Sequence, residues 1–159
     1  MIAAVYGRPV LLNRSAPHAR VVPVLTVGDV RAAVAWYARA WGFVEHVRIG
    51  EGHRAQLGLP GETVAELIVA EVRPGRRVPA AERSHQVMLK VDDVAATAAR
   101  AQELGATLDA PVHDWEYGER QATLTDPFGH QWTLTQTLAD TAPESWGGDT
   151  IMVEISALQ

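Results

Sequence analysis

Residues 22–30 read VPVLTVGDV and residues 86–94 read QVMLKVDDV. Each stretch alternates apolar and mixed residues and then delivers an aspartate, Asp29 and Asp93, 64 positions apart. The alternation predicts a strand. The aspartate predicts the start of a helix, because a carboxylate there accepts the unpaired N–H groups of a first turn. Val30, Ala33, Val34, Tyr37 and Trp41 then recur at helical spacing up to Gly42, and Val94, Ala98, Ala101 and Leu104 do so up to Gly105. A glycine past the last turn supplies the positive φ that closes a helix.

Outward from the helices the same order returns. FVEHVRI (43–49) and ATLDAPV (106–112) each fit one short strand, and HRAQLGL (53–59) and RQATLT (120–125) each fit the next. Pro60-Gly61 and Asp126-Pro127-Phe128-Gly129 are turn signals, followed by the last strands AELIVAEV (65–72) and HQWTLTQTL (130–138). The sequence therefore predicts two tandem βαβββ modules, residues 21–72 and 84–138, together forming one domain. A polar linker bearing Pro and Gly, RPGRRVPAAER (73–83), joins them. An N-terminal arm (1–20) and a C-terminal tail (139–159) fall outside the repeat. VYGRPVLL and TIMVEISAL within these flanks each suit an edge strand or a cover for a neighbouring subunit.

Composition narrows the function classes. The 159 residues are 47% hydrophobic and 21% charged, an ordinary globular balance. The absence of cysteine excludes disulfides, thiolate zinc sites and cysteine nucleophiles. Fourteen Lys and Arg against nineteen Asp and Glu give a net charge of −5 with no basic stripe, so no nucleic-acid partner is expected and cationic small molecules are favoured. No basic leader precedes an apolar run, and no stretch approaches the ~20 apolar residues of a membrane span, so no membrane partner is expected and the cytoplasm is the expected location.

Two βαβββ units with V-x-D after the first strand and D-P-x-G-H before the last resemble the vicinal-oxygen-chelate superfamily, which includes glyoxalases, extradiol dioxygenases and bleomycin-resistance proteins. NRSAP (13–17), HRAQL (53–57), YGERQ (117–121), DPFGHQW (126–132) and PESWGG (143–148) are similar to a bleomycin-resistance-like bacterial subgroup. The resemblance implies an α+β fold, a cupped mixed eight-stranded sheet with helices on its outer face. It also implies a ligand cavity on the inner face and a homodimer. The cavity then lies within one chain or between two. Strand alternation turns Leu25, Val27, Leu57, Leu67, Val69, Val87, Leu89, Val91, Leu124 and Leu134 toward the helices. It turns Arg54, Gln56, Glu66, Gln86, Met88, Gln121, Thr123 and Thr133 toward the cavity, where they are candidate ligand-binding residues.

Catalytic members of the superfamily hold a divalent metal on four cavity-facing ligands. The resemblance puts those slots at Val22, Glu66, Gln86 and Thr133. Valine cannot ligate, and too few oxygen or nitrogen donors remain for a hard divalent cation. No metal and no cofactor are expected. His85 stands one residue before a slot and should point outward, while His53 and His130 flank strands.

Glu66 is a weak candidate base; the competing reading pairs it with Arg54 on the neighbouring strand. Trp115 and Tyr117 in PVHDWEYGER are candidates to sandwich a planar ligand, with Asp114, Glu116 and Glu119 attracting a cation; packing of a long loop on its own scaffold competes equally. Trp36, Tyr37, Trp41 and Trp132 read as core. The expected function is metal-independent small-molecule binding, with an aromatic or cationic natural product as the suggested ligand class. The alternative is a lyase, isomerase or dioxygenase drawing an unusual metal set from Glu66, Gln86, His53 and His85.

Overall fold

The computed structural model describes residues 13–61 and 65–150, with the backbone of Ala4–Val5 and Arg8–Pro9 before them. Those two short strands, β1 (Ala4–Val5) and β2 (Arg8–Pro9), pair with each other, so this part of VYGRPVLL forms a ladder of its own. TIMVEISAL lies outside the described residues beyond Thr150.

The first module comprises β3 (Val24–Val27), α1 (Val30–Trp41), β4 (Val44–Ile49), β5 (Arg54–Gly58) and β6 (Glu66–Glu71). The second comprises β7 (Val87–Lys90), α2 (Val94–Glu103), β8 (Thr107–Asp114), β9 (Glu119–Thr125) and β10 (Gln131–Thr137). Hydrogen bonding makes two four-stranded sheets of identical topology, β3-β6-β5-β4 and β7-β10-β9-β8. The first and last strands of each module pair in parallel and the others antiparallel. The starts of β3 and β7, each at a sheet edge, border one cavity of about 410 Å³.

Both helices begin where the aspartates sit. The Asp29 side chain accepts the Ala32 N–H and the Asp93 side chain accepts the Ala96 N–H, each at 2.9 Å. Gly42 closes α1 at φ 78°, a left-handed conformation that a side chain would resist. A single core draws on both modules, with Tyr37, Trp41, Leu57 and Val69 from the first and Leu89, Leu124, Trp132 and Leu134 from the second. Of the residues assigned above to the helix-facing side, eight belong to this core, while Val87 and Val91 are half-buried and pack against it.

Polar contacts join the modules through that core. Asp126 of the D-P-F-G turn is buried, and its carboxylate accepts four hydrogen bonds. They come from the Tyr37 hydroxyl (2.6 Å), Trp132 Nε1 (2.9 Å) and the Phe128 and His130 amides (2.9 Å each). Trp36 Nε1 donates to the Leu104 carbonyl at 2.7 Å, and a His130 ring nitrogen bonds the Thr26 carbonyl at 2.8 Å. The aspartate that signals a turn in the sequence thus also fastens α1 of one module to β10 of the other.

One boundary differs from the expectation. PVHDWEYGER is not a long loop: β8 runs on to Asp114, leaving a tight turn of Trp115 to Gly118 closed by the Trp115 amide on the Glu119 carbonyl at 2.8 Å. β8 is an edge strand that tolerates the missing donor of Pro111, and its pairing with β9 continues past it to Asp114 opposite Arg120.

Candidate ligand-binding site

On the first sheet, residues 13–20 cross the face opposite the helix. Gln56 Nε2 donates to the Ser15 carbonyl at 2.9 Å, and the Ala19 amide donates to Glu66 Oε2 at 2.5 Å. A cavity of about 370 Å³ remains between arm and sheet. Arg14 and His18 line it from the arm, and His46, Val47, Gln56 and Glu66 from the sheet.

His46 reaches this face through a β-bulge. The register shifts between Glu45 and Val47, so Val47 stands opposite Gln56 and His46 is the extra residue. Its ring lies against Gly58, where an added Cβ would fall 2.6 Å from Nε2. The glycine that ends β5 makes room for the imidazole. That glycine is the one signal in the sequence that pointed to His46, which, like His18 and Arg14, was not among the sequence candidates.

Two expectations about Glu66 are corrected here. Glu66 does not pair with Arg54: β5–β6 register sets it opposite Gly58 and sets Arg54 opposite Ala70, while Arg54 Nε is buried with no partner among the described residues. Glu66 is also not the counterpart of Thr133. Thr133 pairs with Met88, and Val24, 64 positions before Met88, pairs with Ile68. The slot assigned to Glu66 therefore falls on Ile68.

On the second sheet the remaining candidates form a polar row. Thr133 donates its hydroxyl to Gln86 Oε1 at 2.8 Å and shares a 3.1 Å bond with Thr123; Gln121 donates from Nε2 to Thr135 Oγ1 at 3.5 Å, and its Oε1 accepts the Tyr117 hydroxyl at 3.3 Å. Gln121, Thr123 and Trp115 line a cavity of about 300 Å³ with Ala110, Pro111 and His113. Met88 is 58% exposed. The candidates on the two sheets thus line separate cavities, except that Glu66 and Met88 share a smaller one of about 240 Å³.

The aromatic pair is closed on itself. Trp115 and Tyr117 stack with ring centroids 5.8 Å apart and planes 10° apart, so no planar ligand fits between them; the sandwich expectation is corrected to stacking on an outer ring face. The His113 edge meets Trp115 at 4.6 Å, and Trp146 from the tail meets Tyr117 at 5.0 Å, both absent from the sequence candidates. Trp115 remains 45% exposed. The nearby acids are largely engaged. Arg120 grips Asp114 through two bonds (2.6 and 2.8 Å) and holds its carboxyl below the usual range. The Thr135 and Thr137 hydroxyls do the same for Glu119.

A family model described as the Glyoxalase/Bleomycin resistance protein/Dioxygenase superfamily matches residues 17–134. The chain belongs to this superfamily. A protein designated Mb0911c from Mycobacterium bovis is 31% identical over 126 residues, covering 74% of this chain and 83% of that protein. Among solved structures, TioX from Micromonospora sp. ML1 is 27% identical with a TM-score of 0.58, covering 78% of this chain and all of TioX. Lactoylglutathione lyase from Agrobacterium tumefaciens is 19% identical with a TM-score of 0.55, covering 82% and 98%, and shows likeness of fold alone.

The metal that the superfamily implies does not fit these residues. By register the four slots are Val22, Ile68, Gln86 and Thr133: two hydrocarbon side chains, one amide and one hydroxyl, the last two bonded to each other. Neither neutral group brings the charge or the donor number that a divalent ion takes from carboxylates and imidazoles. The alternative set is not assembled either: His53 is paired with Glu71 at 2.6 Å, while His85 lies beside Gln86 in the cavity at the start of β7. Among the described residues no three His, Asp or Glu side chains cluster to hold a metal.

Proposed function

We propose that this member of the glyoxalase/bleomycin resistance superfamily is a metal-independent small-molecule binding protein, whose second-sheet face takes an aromatic or cationic natural product. The observation that carries the reading is the 2.8 Å bond from Thr133 to Gln86, which joins two neutral groups where catalytic relatives are expected to present metal ligands. Beside that bond, the row of hydroxyls and amides, the exposed Met88 and the outer ring face of Trp115 combine apolar contact with a few directional polar groups, as small-molecule sites do. The proposed setting is the cytoplasm.

Planar cations should therefore quench tryptophan fluorescence saturably, with or without EDTA. Trp115→Ala should weaken that binding about three- to tenfold, because a stacking contact is worth ~0.5–1.5 kcal/mol beyond its area. If Trp115 serves only to hold the turn through Tyr117 and His113, the same variant will melt earlier and bind unchanged, and the reading fails.

The proposed assembly is a homodimer in which a second chain covers the open face of the second sheet. Met88 is exposed there, and β8 is an unpaired sheet edge whose Ala110 and Pro111 line the cavity with Trp115. Light scattering at micromolar concentration should give twice the chain mass of 17.2 kDa. An obligate interface would bury on the order of 2,000 Å² or more. A monomer at that concentration contradicts the assembly.

A further inference from the structure

The cavity under the N-terminal arm is unlike the second-sheet face. Five of the seven described residues that line it are polar: Arg14, His18, His46, Gln56 and Glu66. An apolar or aromatic ligand would strand those groups without partners, at a cost that polar burial imposes and hydrogen bonds offset. At about 370 Å³ the space stands near the lower end of small-molecule sites, which span roughly 300–1,000 Å³. The site is also built by two separate devices. The bulge and the bare Gly58 bring the His46 ring over β5, whose Gly58 stands directly opposite Glu66 on β6. The arm, pinned at Ser15 and Ala19, brings Arg14 and His18 to the other side.

We propose that this strapped cavity is a self-contained binding site for a small 2-hydroxy or 2-amino acid. Arg14, a permanent cation with a forked set of donors, takes the ligand carboxylate together with imidazole N–H groups of His18 and His46. Glu66 spends Oε2 on the Ala19 amide, and its carboxylate accepts the hydroxyl or ammonium on the adjoining carbon. A carboxylate one carbon from a donor is the small-molecule pattern that answers a cation and an anion lining one small cavity. The site is independent of the second-sheet reading above: it draws on different residues, a different sheet and a different ligand chemistry.

Glycerate, serine and propionate distinguish the parts in isothermal titration. Glycerate and serine should bind saturably, and propionate, which lacks the donor, at least tenfold more weakly. Arg14→Gln, an exposed arm residue, should weaken glycerate at least tenfold with an unchanged melting temperature. Gly58→Ala should also weaken it, because the new methyl displaces the His46 ring; should that variant fold poorly, His46→Gln reads the same contact. No saturable binding of glycerate or serine up to about 10 mM, or binding that Arg14→Gln leaves untouched, overturns the site. Planar-cation quenching at Trp115 is unaffected by either result, so failure here and failure of the proposed function are told apart.

Discussion

Replacing Asp126 by alanine is expected to cost about 3–5 kcal/mol of stability, a large share of the ~5–15 kcal/mol available to a domain. The substitution removes the acceptor of four hydrogen bonds and strands the Tyr37 hydroxyl, the Trp132 indole N–H and two backbone amides inside the core. Each buried unsatisfied donor costs ~1–3 kcal/mol, but one relaxation serves several of them, so the sum is less than additive. The melting temperature should fall by about 10 °C or more. Tyr37→Phe should cost less, because it removes one donor and leaves the other three bonded. A fall of under about 2 °C for Asp126→Ala would mean that the two modules do not depend on this carboxylate.

The same pair sets an alkaline limit. Burial first, then the charge of Asp126 and the bond to it, push the Tyr37 hydroxyl well above its ordinary value of 10.0. The raised folded value means that the protonated hydroxyl is the form the fold favours. Its contribution is complete below pH 10 and is lost as pH rises toward the folded value. Tyr37→Phe should flatten that loss.

Gly118→Ala is expected to cost about 2–5 kcal/mol. Gly118 sits at φ 84°, where a side chain carries a left-handed penalty of ~1–2 kcal/mol. An added Cβ would also strike the Ala139 carbonyl oxygen and come within 2.7 Å of Thr141 Oγ1, and such overpacking costs a further ~1–3 kcal/mol. The Gly118 carbonyl itself accepts the Leu138 and Ala139 amides at 2.8 and 3.3 Å, so relief requires moving the segment that leads to Trp146. The Tyr117–Trp146 contact should loosen with it, visible in near-ultraviolet circular dichroism. Gly28→Ala is the control: nothing lies within 4 Å of its would-be Cβ, and its melting temperature should barely move.

The fold was legible because its signals are local and doubled. An aspartate cap and a closing glycine mark each helix, and strict alternation sorts each strand, so one module checks the other. The slot on the last strand was not. The β5–β6 connection spans residues 59–65, seven residues, and the β9–β10 connection spans 126–130, five. Two extra residues move the slot by two, from Glu66 to Ile68, and a shift of two keeps the same face, so alternation gives no warning.

The site was half legible for related reasons. Gln56, Glu66, Thr123 and Thr133 were placed on the correct faces by alternation alone. His46 was hidden because FVEHVRI looks regular and a bulge shows only when both strands are paired. Arg14 and His18 belong to an arm with no periodicity, held by two hydrogen bonds to groups more than 40 residues away. Trp115 and Tyr117 stand out by residue type, but their stacking on each other is a matter of turn geometry that residue types do not carry.

The most direct test of metal independence is the metal content of protein purified without chelator, read alongside its melting temperature in EDTA. The account predicts well under one equivalent of zinc, nickel, manganese or iron per chain and a melting temperature that EDTA leaves unchanged. One equivalent of any of these metals, with a melting temperature that collapses when it is removed, would contradict it.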